Sequence, residues 1–176
     1  GTANVGKTTI YGRITQQTED NTPRPTTCPH CGMYYPKSNP SDGFMIWDTA
    51  GMEQFRSLNS IYFRNAAVAV LVLDITYKAS LEELDSFIQA IKEENESEIP
   101  IVMAANKYDC AETRTITHEE IENWSEEKGI PFFYTSGKEG IGIDELFEYV
   151  YTHLPPPQQS FSTPEIQPQI QKSSCC

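Results

Sequence analysis

The chain has 176 residues, enough for one domain with a sizeable core, and its 38% hydrophobic and 22% charged residues are ordinary for a globular protein. A formal net charge of −12 argues against a nucleic-acid binder, whose footprint is basic, and against simple electrostatic attachment to anionic lipid. The longest apolar run, Ala66 to Leu73, is too short to span a bilayer; no signal peptide is visible, so the odd set Cys28, Cys31, Cys110, Cys175 and Cys176 points to reduced thiols in the cytosol.

The first eight residues, Gly1-Thr2-Ala3-Asn4-Val5-Gly6-Lys7-Thr8, have the form G-x-x-x-x-G-K-T. Two glycines let the backbone curl until successive N–H groups face one anion. Lys7 adds a cation for the β- and γ-phosphates of a nucleotide, and the Thr8 hydroxyl is a hard oxygen ligand suited to Mg²⁺. The helix expected next turns its positive end to the same phosphates. The plainer alternative is a glycine turn that happens to precede Lys-Thr. Such a loop normally joins a buried strand to a helix, so the expectation is a fragment lacking its first strand.

Thr9 to Gln17 is predicted as the first helix, weakened by Gly12 and β-branched threonines. Glu19 to Pro40, rich in Pro, Thr, Asn and Ser, reads mainly as loop with room for a short edge strand. Phe44 to Trp47 is a strand ending at Asp48-Thr49-Ala50-Gly51, and Val68 to Leu73 is an aliphatic strand buried on both faces. Leu81, Leu84, Ile88 and Ile91 have helical spacing after Ser80, which can cap them. Ile101 to Ala105 is another buried strand. Thr117 and Glu120 form a capping box for a helix carrying Ile121 and Trp124. Pro131 to Thr135 is the last strand, and Asp144 to Leu154 the last helix, with Leu146, Phe147, Val150 and Tyr151 on its inner stripe. The acidic residues Glu93, Glu94, Glu96 and Glu98 read as a solvated helix end. Alternation of strands and helices implies an α/β fold, a mainly parallel sheet with helices on both faces and ligands at the carboxyl ends of the strands. Composition shifts to Pro, Gln and Ser at Pro155-Pro156-Pro157, dividing a domain over 1–154 from an unpacked tail over 155–176.

Three further motifs fall at strand ends. Asp48 in Asp-Thr-Ala-Gly can hold Mg²⁺ through a water, and the Gly51 N–H can meet a γ-phosphate; a simple turn is the alternative. In Asn106-Lys107-Tyr108-Asp109, a carboxylate can accept two hydrogen bonds from the N1 and N2 edge of guanine, which adenine does not offer. In Thr135-Ser136-Gly137-Lys138, the Gly137 N–H could bind the guanine oxygen while Ser136 braces the loop.

Together these four motifs, in order, resemble the Ras superfamily of small GTPases. Trp47-Asp48-Thr49-Ala50-Gly51, Tyr62-Phe63-Arg64-Asn65-Ala66, Leu73-Asp74-Ile75-Thr76 and the terminal Cys-Cys are similar to Rab signatures. The resemblance implies a P-loop G-domain with a six-stranded sheet and five helices, here without its first strand, and two switch segments that read GTP against GDP. It assigns the phosphates to Asn4, Val5, Gly6, Lys7, Thr8, Thr9, Thr26 and Gly51, and guanine to Asn106, Lys107, Asp109, Ser136, Gly137 and Lys138. Mg²⁺ falls to Thr8, Thr26 and, through water, Asp48. Thr26 is the switch threonine by its offsets from Lys7 and Asp48. Exchange factors, GTPase-activating proteins, a GDP-dissociation inhibitor and effectors are the implied partners, on the cytoplasmic face of endomembranes with a cytosolic pool.

Several positions depart from the family. Met52 stands where a glutamine usually orients the attacking water, and a thioether is a poor hydrogen-bond partner. Ala3 also replaces a glycine found in Ras. Slow intrinsic hydrolysis follows, with Lys7 and Gly51 assisting at the γ-phosphate; a non-hydrolysing binding module or an inactive fragment are the competing readings. Glu19 takes the place of an aromatic ring on the guanine, which implies looser nucleotide binding. Thr27-Cys28-Pro29-His30-Cys31 replaces Ile-Gly-x-x-Phe, so effector identity does not carry over. Cys28 and Cys31 are half of a zinc site at most, since structural zinc takes four ligands. Cys175-Cys176 resembles the signal for double geranylgeranylation; burial is worth ~0.8 kcal/mol per CH₂ and one chain anchors only marginally. Loss of a central strand would leave unpaired backbone groups at about 1–3 kcal/mol each, so the chain is expected to fold poorly.

Overall fold

The computed structural model describes residues 1–15, 30–51, 61–64 and 66–155. Helix α1 spans Lys7–Thr15, starting two residues earlier than the sequence suggests. Strands β1, His30–Tyr34, and β2, Phe44–Asp48, form an antiparallel hairpin in which Cys31 pairs with Trp47 and Met33 with Met45. Strands β3, Ala69–Asp74, β4, Ile101–Asn106, and β5, Phe132–Tyr134, form a parallel sheet in the order β3-β4-β5. Helices α2, Ala79–Glu82, and α3, Leu84–Glu94, connect β3 to β4; α4, His118–Lys128, connects β4 to β5, and α5, Ile143–Thr152, follows.

Period-two alternation along the parallel strands builds two cores. Leu71, Leu73, Met103 and Ala105 face Leu84, Phe87, Ile88, Ile91 and Ile121 of α3 and α4. Val72, Val102 and Ala104 face Ile10 of α1 and Ile143, Leu146, Phe147 and Val150 of α5. The sheet is therefore covered on both sides, as its aliphatic strands require. The expected capping box is present: Thr117 Oγ1 accepts from the Glu120 N–H, and the Glu120 carboxylate accepts from the Thr117 N–H at 2.8 Å.

Ser80 is a correction. It lies inside α2, which Lys78 precedes without a side-chain cap. Its buried hydroxyl accepts from the Asp74 N–H, and its one hydrogen is shared between the Tyr77 and Asp74 carbonyls, so it closes the end of β3. The described strands do not form one continuous sheet. Among the described residues five strands form two sheets, and β2 and β3 face each other across a cavity of about 570 Å³. Phe44, Ile46, Val70, Val72, Ile10 and Phe147 are among its walls. The hairpin is held by α1, where Gly32 lies against Tyr11 and Thr15, and by α5. Tyr34 packs on Phe147 at 5.3 Å between ring centroids, the Lys37 N–H donates to Glu148 at 2.6 Å, and Asn39 donates to the Tyr151 hydroxyl at 2.8 Å.

Candidate functional site

The carboxyl ends of β3, β4 and β5 and the start of α1 converge on one place. Asn4 and Gly6 adopt left-handed φ of 64° and 100°, which produces the curl of the first loop. A side chain at Gly6 would run into Asn106 Nδ2 at 2.3 Å, so only glycine permits this approach. Asn106 uses it to donate to the Val5 carbonyl at 2.8 Å. Helix α1 begins directly after the loop, with the Ile10 N–H on the Gly6 carbonyl. Its first N–H groups and positive end therefore lie where an anion would sit.

Lys7 folds over the loop and donates to the Gly1 and Thr2 carbonyls at 3.0 and 2.6 Å. Burial lowers its ammonium from 10.5 to about 8, and the nearby Asp48 carboxylate opposes the shift. A half-buried cation held by neutral carbonyls suits a polyanion. A Cβ at Gly51 would come within 2.4 Å of Lys7 Nζ and 2.7 Å of the Ala3 nitrogen, so the Asp-Thr-Ala-Gly segment presses against the same loop. Thr8 Oγ1 donates to Asp48 Oδ2 at 2.6 Å. A hydroxyl and a carboxylate in contact are a hard oxygen donor set, which fits Mg²⁺.

The base-side loops join through Asn106. Its Oδ1 accepts from Thr135 Oγ1 at 3.2 Å and from the Gly137 N–H at 3.1 Å. The Gly137 N–H assigned to guanine is thus engaged with Asn106 here. Ser136 donates to Asp109 at 2.6 Å, the bracing role expected of it, and this bond is the main reason that the Asp109 carboxyl lies below its ordinary range. Arg13 of α1 donates to the Gly137 carbonyl at 3.3 Å and also to that of Lys138. Gly137 lies against Thr9 and Ile10, where an added Cβ would meet both at 3.2 Å. Lys138 points outward, its ammonium 3.5 Å from Glu139 and its side chain 76% exposed.

The structure therefore brings together the loop residues, Thr8, Asp48, Gly51, Asn106, Lys107, Asp109, Ser136 and Gly137. Thr26, Met52, Glu19, Cys28, Cys175 and Cys176 lie outside the described residues. Sequence reasoning missed Thr135, Arg13 and the carboxylate of Asp74, which contacts Lys107 at 2.6 Å. A charged residue closing an aliphatic parallel strand was the available signal for Asp74.

A model of the Ras family matches residues 1–155. Ras-related protein Rab-31 of Mus musculus is 34% identical over 163 residues, covering 91% of this chain and 84% of its own. Ras-related protein Rab5A of Oryza sativa subsp. japonica is 33% identical over 141 residues, covering 76% and 70%. Ras-related protein Rab-26 of Bos taurus is 35% identical over 109 residues, covering 62% and 43%. Family match, related sequences and site geometry agree: the chain belongs to the Ras family, in its Rab branch, as a guanine-nucleotide-binding small GTPase of membrane traffic.

Proposed function

We propose that the protein is a GTP/GDP switch whose own hydrolysis is slow and whose GTP-bound state is correspondingly long-lived. The observation that best supports a nucleotide site is Asn106, which ties the phosphate loop at Val5 to the Gly137 loop while Ser136 braces Asp109; the slow step rests on Met52 in the sequence. One side chain thus links the phosphate end of the site to the base end. Asp109, exposed at the mouth of the site and braced by Ser136, can accept from the N1–H and N2–H of guanine, a pair of donors that adenine does not offer. Asn4, Val5, Gly6, Lys7, Thr8, Thr9 and Gly51 would hold the phosphates. Thr8 and Thr26, with Asp48 through a water, would hold Mg²⁺, which when bound neutralises phosphate charge.

Residues 1–154 act as the G-domain and residues 155–176 as a tether, geranylgeranylated at Cys175 and Cys176. The tether carries Lys172 and Glu165 and so has no polybasic patch to replace a second lipid. Exchange factors, activating proteins, a GDP-dissociation inhibitor and effectors act on the switch at the cytoplasmic face of endomembranes. Single-turnover hydrolysis tests the slow step. Met52→Gln is expected to raise the rate by about tenfold or more, since a side-chain amide can orient water and a thioether cannot. Equal rates before and after the substitution would contradict the assigned role of Met52. Nucleotide binding with no turnover in either protein would favour a non-hydrolysing effector-recruitment module.

A further inference from the structure

Asp74 ends β3 in register with Asn106, the last residue of β4. It is 5% exposed, yet both carboxylate oxygens are engaged. Oδ1 accepts from the N–H and hydroxyl of Thr76 at 2.9 and 2.7 Å. Oδ2 meets Lys107 Nζ at 2.6 Å. The Asp74 backbone is fixed separately, through the Ser80 hydroxyl. Lys107 has a left-handed backbone, φ 66° and ψ 36°, a conformation that a side chain disfavours. Asn106, just before it, holds the phosphate loop, and Asp109, two residues after it, receives the Ser136 hydroxyl. A strained residue at the centre of the base loop is thus fixed to a buried carboxylate from a different strand.

We infer that Asp74 is a positioning residue for guanine-nucleotide retention: its carboxylate holds the Lys107 ammonium and so preorganises the Asn106–Asp109 loop for the base. The inference rests on the reading of this loop as the guanine site. Thr76 fixes the direction of the carboxylate, and the register of β3 against β4 brings it to Lys107. A charge-assisted bond of this kind limits the conformations of a long side chain and of the loop that carries it.

The test is a double-mutant cycle on the release of fluorescent GDP from the full chain, with thermal melts alongside. Asp74→Asn keeps the acceptor for Thr76 and removes the charge. It is expected to speed GDP release by about tenfold, a typical effect of losing a charge-assisted bond. On a Lys107→Met background the same change should alter release by less than about twofold, because the partner is gone. A purely structural Asp74 would instead give multiplying effects, and that result overturns the inference. If Asp74→Asn does not fold, the wild-type GDP complex still decides: a through-hydrogen-bond NMR coupling between Lys107 Nζ and the Asp74 carboxyl carbon supports the inference, and its absence overturns it. Failure of the wild-type chain to hold GDP would overturn the guanine reading together with this inference. Normal GDP retention with no response to Asp74→Asn would overturn the inference alone.

Discussion

Thr8 at the start of α1 donates its hydroxyl hydrogen to Asp48 at the end of β2, with 2.6 Å between Oγ1 and Oδ2. The contact links the phosphate loop to a hairpin that shares no strand pairing with the parallel sheet among the described residues. Both groups are hard donors, so a divalent cation and the threonine proton compete for one carboxylate. Thr8→Ala is expected to speed GDP release in Mg²⁺ by at least about tenfold. Chelating Mg²⁺ should accelerate the wild type strongly and the variant little, as read by fluorescent GDP release.

Lys7 gives the site a pH dependence. Burial brings its ammonium down to about 8 in the folded chain, against 10.5 ordinarily. Between those values the unfolded chain holds a proton that the folded one has lost, so this group makes stability rise with pH across that window and contributes no slope below it. A bound polyanion would restore the proton to Lys7. Nucleotide affinity should therefore fall as pH rises through 8, with uptake of about half a proton per nucleotide at pH 8. Calorimetry in buffers of different ionisation enthalpy checks this; no proton uptake at pH 8 would contradict it.

Tyr34 tests the way the hairpin is seated. Its hydroxyl is buried without a hydrogen-bond partner among the described residues, and its ring packs on Phe44 and Phe147. Burial, with Glu148 and Asp144 nearby, pushes the phenol up to about 12. Tyr34→Phe keeps the packing and removes the orphaned group, so denaturant melts should show a gain of about 1 kcal/mol. Phe147→Ala should cost about 3–5 kcal/mol, since it empties the centre of that cluster.

The cavity between β2 and β3 offers two facing strand edges and apolar walls. An apolar strand of about six residues fused ahead of Gly1 should raise the melting temperature by about 5–10 °C, since burying several side chains there adds a few kcal/mol. It should also slow amide exchange in Phe44–Asp48 and Ala69–Asp74. Unchanged melting and exchange would contradict the reading of that cavity as a strand slot.

Much of this was legible in the sequence because buried parallel strands read as unbroken aliphatic runs. The expected strand Ile101 to Ala105 is observed as Ile101–Asn106, and Phe44 to Trp47 as Phe44–Asp48. Strand β1 was harder. Gly32 weakens its pattern, and it forms because Tyr34 finds Phe147 and β2 pairs along it. Ser80 was misassigned because its nearest open backbone groups belong to the end of β3, which local spacing does not reveal. Of the site, the phosphate and base motifs were readable as contiguous residues. The Asp74–Lys107 pair was not, since it depends on the register between two strands.

Discrimination between purines tests the central claim most directly. Displacement of fluorescent GDP should be measured with unlabelled GDP and ADP in Mg²⁺. The geometry of Asp109 and Asn106 leads us to expect that GDP competes at least about a thousandfold better than ADP, and that Asp109→Ala removes most of that advantage. Equal displacement by the two nucleotides would contradict the account.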